Sequence, residues 1–167
     1  MSDTDTITEN GKTPEIGTLP KTAFSDLTGL DIFRLMLAGD LPAPPIMIHS
    51  NIRMKEFEEG RAVFTGMPAK EFLNPLGTVH GGWISTLIDT ALSCAVHTTL
   101  KPGEFYTTTS LNVNMVRPLQ ATSGEVICEG RIVHRGSRLA TSEGDLRNAD
   151  GKLIAHGTVS CMIFKPS

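Results

Sequence analysis

Apolar and polar positions repeat along this chain with two different periods, and the changes of period mark out its elements. At about 100° per residue, Trp83, Ile84, Leu87, Ile88, Ala91, Leu92 and Ala95 share one broad arc, while Ser85, Thr86, Asp89, Thr90, Ser93 and His97 share the opposite one. Asn74, Pro75 and Gly77 read as a turn, and His80-Gly81-Gly82 opens a helix predicted to run to about Thr98. Between Phe72 and Leu100 the only acid is Asp89, and there is no Lys or Arg. A helix this apolar belongs at the centre of a core. A lone carboxylate on it is costly to bury unless something pairs with it or uses it.

Elsewhere the period shortens to two. Ile46, Ile48, Ile52 and Met54 share a parity, which predicts a strand from Ile46 to Phe57. Glu58-Glu59-Gly60 turns the chain into a second strand, Arg61 to Met67, hairpin-paired to the first. After the Pro102-Gly103 break, Leu111, Val113 and Met115 alternate with Asn112 and Asn114 in a strand from Phe105 to Val116, ended by Pro118. Three further strands follow, Gly124 to His134, Arg138 to Leu146 and Lys152 to Phe164. They are joined by a tight turn at Gly136 and a hairpin signal at Asn148-Ala149-Asp150-Gly151. Small residues at Ala155 and Gly157 would let a helix approach the last strand closely.

Ahead of these strands, Thr28-Gly29-Leu30-Asp31 has capping-box spacing, and Leu30, Phe33, Met36 and Leu37 continue a short helix stopped by Gly39 and Pro42. That helix and the segment to Ile48 are apolar enough to line a pocket. The expected organisation is a disordered tail over 1–21, a short helix and Pro-rich connector over 22–45, and one folded domain over 46–167. The fold class is α+β. One antiparallel sheet of about six strands wraps one long central helix, and a short N-terminal helix packs outside it.

Composition narrows the function classes. A net charge of −3 without a block of Lys or Arg leaves no electrostatic footprint for nucleic acid. Cys94, Cys128 and Cys161 are widely spaced and odd in number, as expected of reduced thiols in a cytoplasmic protein. The polar, acidic N-terminus is unlike a targeting peptide, and no apolar run is long enough for a membrane span. His49, His80 and His97 lack metal-ligand spacing, so no metal site is expected. Trp83 reads as core or interface, and the methionines as gap-fillers.

The central motif is Asn74-Pro75-x-Gly77-x-x-His80-Gly81-Gly82, with Asp89 nine residues after His80. It is accompanied by Leu111-x-Val113-x-x-Val116-Arg117-Pro118 and by Gly151-Lys152-Leu153-Ile154-Ala155. This combination resembles the hotdog-fold acyl-CoA thioesterases, in the branch that includes the phenylacetate-pathway thioesterase PaaI. The resemblance spans roughly 46–164. It implies a hotdog fold, an acyl-CoA or aryl-CoA substrate, no cofactor beyond the coenzyme A carried by the substrate, and catalytic residues at Asn74, Gly81 and Asp89. It also places a hydroxyl at Thr108 near the reacting water.

The residues support such chemistry on physical grounds. Thioester hydrolysis needs a nucleophile or activated water, and donors for the oxyanion. A helix N-terminus offers free N–H groups and partial positive charge, and glycines at 81 and 82 let a carbonyl approach. Gly81 N–H is then the oxyanion donor. Asn74 polarises the carbonyl or simply makes the turn. His80 positions the carbonyl or shapes the turn at the helix start. Asp89 acts as general base or as nucleophile. Ser93, one turn beyond Asp89, orients the water or only packs. Arg117, Arg135 and Arg138 are candidates to clamp the coenzyme A phosphates, or are solvated surface charges.

Gly81 and Asp89 lie about 12 Å apart along one helix at 1.5 Å per residue. A reacting carbon must lie within roughly 3–4 Å of both attacking group and donors. Two antiparallel copies of the helix related by a two-fold axis meet that condition. The expected assembly is an obligate homodimer, extended to a dimer of dimers. Two other functions share these features: a hotdog enoyl-CoA hydratase or dehydratase, and a non-catalytic acyl-CoA-binding protein.

Overall fold

The computed structural model describes residues 15–165. Its elements run α1 (Lys21–Asp26), α2 (Gly29–Ala38), α3 (Pro45–His49), β1 (Ile52–Glu58), β2 (Arg61–Gly66), a single 3-10 turn (Lys70–Phe72), α4 (Gly81–His97), β3 (Phe105–Met115), β4 (Val126–Arg135), β5 (Leu139–Arg147) and β6 (Leu153–Phe164). The six strands form one antiparallel sheet in the order β1-β2-β4-β5-β6-β3. β3 follows α4 in the chain yet crosses over to the sheet edge beside β6.

The apolar arc of α4 is the core. Leu87, Ile88, Ala91, Leu92, Ala95 and Val96 have no solvent exposure, and β2 to β6 all pack on the helix. The seat is a row of glycines. Gly130, Gly144 and Gly157 lie opposite one another across β4, β5 and β6. A Cβ on Gly130 would lie 2.4 Å from the Ala91 carbonyl oxygen, and one on Gly157 would lie 3.1 Å from Ile88 Cγ2. Helix backbone therefore rests almost directly on strand backbone. The Ser142 hydroxyl fixes the seat by donating to the Leu92 carbonyl at 2.6 Å. On the opposite arc, Thr86 and Thr90 turn their hydroxyls back onto the Gly82 and Thr86 carbonyls.

Three features differ from the sequence reading. Residues 1–14 of the expected tail lie outside the described residues, but the rest of it is ordered: Ile16 bridges Ala43, and α1 begins at Lys21. Pro45–His49, expected as the start of a strand, is the short helix α3, with Pro45 in its first turn. The strand begins only at Ile52. Finally, α2 packs at the C-terminal end of α4, where Phe33 stacks on Phe57 (ring centroids 4.1 Å apart) and meets His97 (4.9 Å). None of its residues lines the groove beside His80 and Gly82. The cap of α2 is as expected: Thr28 Oγ1 accepts the Asp31 N–H at 3.2 Å, and Gly39 closes the helix at φ 77°.

Candidate active site

Asp89 sits half-buried in the middle of α4, and Thr108 Oγ1 on β3 donates to its Oδ1 at 3.2 Å. Burial raises the Asp89 pKa, and the Thr108 hydrogen bond opposes the shift. A bulge in β3 makes this pair possible. The register with β6 slips between Thr108 and Ser110. Tyr106 and Thr108 therefore face α4 on one parity, and Val113 and Met115 face it on the other.

Eight residues earlier, the helix begins at Gly81. His80 is its N-cap, and its Nδ1 accepts the Gly82 N–H at 2.8 Å. A neutral ring with Nδ1 as acceptor carries its proton on Nε2, which leaves an N–H to offer at this end. The Trp83 and Ile84 N–H groups are taken by the His80 carbonyl. The Gly81 N–H has no acceptor among the described residues, so it is the free donor at the positive end of the helix. An open groove of about 390 Å³ runs alongside, lined by Phe72, Leu73, His80, Gly82, Trp83 and Thr86 among others.

Asn74 holds the loop that delivers His80. Its Oδ1 accepts the Leu76 and Thr78 N–H groups, and its Nδ2 donates to Thr78 Oγ1 at 2.8 Å. Turn-making thus occupies most of the side chain, leaving one amide hydrogen for a carbonyl.

Ser93 is buried and sits beside the Tyr106 hydroxyl, as does Cys94. Tyr106, the only tyrosine, was not singled out from the sequence; its signal was a place on the same strand and parity as Thr108. His97 ends the polar stripe between Phe33 and Tyr106, its buried Nε2 without a hydrogen-bond partner among the described residues. Burial pulls the His97 pKa down to about 4 from 6.5. Between those two values the unfolded chain binds more protons than the folded one. Stability from this group is therefore full above pH 6.5 and declines as pH falls toward 4. His97→Phe is expected to flatten that part of the pH dependence of the urea midpoint.

The three arginines do not converge. Arg135 is held by Glu104 (2.6 Å), the Thr99 hydroxyl (3.2 Å) and the Gly136 carbonyl. It is thus already paired within the chain. Arg138 lies near the same end of the sheet, beside Glu104, Phe164 and Lys165. Arg117 lies beyond the opposite end of β3, exposed, with Nε on the Leu153 carbonyl. Among the described residues, no group of three or more His, Cys, Asp or Glu side chains is placed to hold a metal ion.

Comparison with known proteins agrees with this architecture. The model of a family described as the thioesterase superfamily matches residues 76–155. Human acyl-coenzyme A thioesterase 13 is 32% identical over 102 residues, covering 59% of this chain and 69% of that protein. The crystal structure of a phenylacetic acid degradation-related protein from Ralstonia eutropha JMP134 is 31% identical, with a TM-score of 0.72, over 78% of this chain and 98% of that one. A Streptococcus mutans UA159 protein bound to acetyl CoA is 25% identical, with a TM-score of 0.63, over 69% of this chain and 90% of that one.

Proposed function

We propose that this chain, which belongs to the thioesterase superfamily, hydrolyses the thioester of an acyl- or aryl-CoA to the free acid and coenzyme A. One observation carries the reading: the same helix holds a half-buried carboxylate, Asp89, and a free N–H at its positive end, Gly81. The names of the human relative and the acetyl-CoA complex of the Streptococcus mutans neighbour support the substrate class.

The thioester carbonyl oxygen rests on the Gly81 N–H, with the His80 Nε2 proton and the remaining Asn74 amide hydrogen beside it. Two routes fit Asp89. As general base it takes a proton from water, whose oxygen adds to the carbonyl carbon. As nucleophile it adds directly, giving an anhydride that water then cleaves. In both, the C–S bond breaks, the sulfur leaves as thiolate and is protonated, and the oxyanion is held by the N–H. Thr108 orients the Asp89 carboxylate, with Ser93 one turn along the same stripe. No cofactor is needed. Arg117, exposed at the Gly81 end of β3, is our first candidate for a coenzyme A phosphate, with Arg138 the second.

Gly81 and Asp89, about 12 Å apart on α4, serve one carbonyl only if two copies each supply one of them. We therefore read the active form as a homodimer with two composite sites. The edge strand β3, 11 residues long, supports this, because a long unpaired edge invites pairing. Exposed Leu139 and Met162, opposite one another on the outer sheet face, support further pairing into a dimer of dimers. The three cysteines are free, which favours a reducing, cytoplasmic setting.

The test is thiol release from a panel of fatty acyl- and aryl-CoAs, followed by subunit mixing. Asp89→Asn and Gly81→Asp are each expected to be inactive alone. Refolded together, they should regain about a quarter of wild-type activity, because half the dimers then hold one intact composite site. No recovery in mixed dimers would refute the shared site. Tight acyl-CoA binding without thiol release would make the protein a binder instead.

A further inference from the structure

Met115 closes the inner face of β3 against the first turn of α4. A Cβ built on Gly81 would lie 2.9 Å from both its Sδ and its Cε. Beyond the flanking residues and the helix's own backbone, nothing else comes within 4 Å of that point. Gly81 is helical and its φ is not positive, so its backbone conformation alone does not call for glycine. The thioether occupies the space of the missing side chain, next to the free N–H. Met115, the residue touching Gly81, is 46% exposed, so part of it is open to anything docking there.

The chemistry of the thioether suits this place. It has no donor and is only a weak acceptor, so it shields the Gly81 N–H without capping it. An apolar neighbour also keeps water off the donor, and a drier donor holds an oxyanion more strongly. Three rotatable bonds and no β-branch let the side chain yield to a ligand.

We propose that Met115 is a specificity-determining residue: its thioether is the movable wall against which the acyl group is seated when the carbonyl reaches the Gly81 N–H. The proposal rests on the thioesterase reading of Gly81.

Two measurements test it. Met115→Ala should raise the ratio of kcat/KM for phenylacetyl-CoA over acetyl-CoA by about tenfold or more, the scale at which pocket volume discriminates. Met115→Leu should hold that ratio within about twofold, because its volume is similar. Gly81→Ala keeps the backbone N–H but pushes the thioether into the acyl seat, so it should lower the same ratio, and adding Met115→Ala should reverse that shift. Melting temperatures of all four variants separate this coupling from misfolding. An active wild type whose acyl preference is unmoved by Met115→Ala overturns the proposal alone. So does a double variant with the same acyl preference as Gly81→Ala while all variants stay folded. A wild type that releases thiol from no acyl-CoA overturns the thioesterase reading, and this proposal with it.

Discussion

Replacing Asp89 by asparagine is expected to lower kcat for thioester hydrolysis by about 10²–10⁴-fold, the usual worth of a positioned base. Asparagine keeps the shape and can still accept the Thr108 hydroxyl, but it can neither take a proton from water nor attack a carbonyl. The pH profile gives a second signature. Burial raises the pKa of Asp89 above its ordinary 3.8, so the active carboxylate is lost at a higher pH than for an exposed aspartate. Thr108→Val should move the acid limb higher still, because the hydrogen bond that favours the ionised form is gone.

The same shift fixes the sign for stability. Because the folded-state pKa is raised, folded Asp89 holds its proton more tightly than the unfolded chain does. Its contribution to folding is full below the unfolded pKa and is lost as pH rises through the folded one. At neutral pH the asparagine variant should therefore melt at or above the wild-type temperature. Wild-type turnover in this variant would remove the carboxylate from the mechanism. Lost turnover together with a lowered melting temperature would make the loss one of folding.

A large loss of stability is expected from Gly130→Ala. Its methyl would lie 2.4 Å from the Ala91 carbonyl oxygen, and both partners are backbone in regular structure. No rotamer relieves the clash, so α4 must lift off the sheet. The expected cost is about 3 kcal/mol, at the upper end for overpacking. That corresponds to a fall of roughly 6–12 °C in melting temperature for a chain of this size. Activity should fall as well, since Asp89 rides on the same helix two residues before the contact. Urea and thermal unfolding read the first effect and thiol release the second. An unchanged midpoint would mean that α4 is not seated on the glycine row.

How far the chain could be read in advance depended on whether a feature is local. The long helix, its start at His80-Gly81-Gly82, its lone acid and the six strands all follow from spacing within a short window. So does the Thr28 cap, where one hydroxyl meets an amide three residues on. Pro45–His49 fits both readings because a short apolar run matches either period, and a proline favours the first turn of a helix as readily as a strand edge. The turn role of Asn74 was among the open readings, but only the hydrogen bonds show how little of its amide is left for a substrate. For Arg135, a phosphate clamp and a solvated surface charge were both open, and only the fold shows its pairing with Glu104.

By itself, then, the sequence determined the elements of this protein, the arcs of its central helix and the reach that separates Gly81 from Asp89. Tertiary structure alone decided what those residues touch. Thr108 and Met115 differ in parity, so a regular strand would send them to opposite faces. One extra residue in β3 turns both toward α4, the first onto Asp89 and the second onto Gly81. Likewise Gly130, Gly144 and Gly157 become one seat only when three strands align. Periodicity is set by near neighbours, whereas register is set by partners tens of residues away, and no local pattern carries that information.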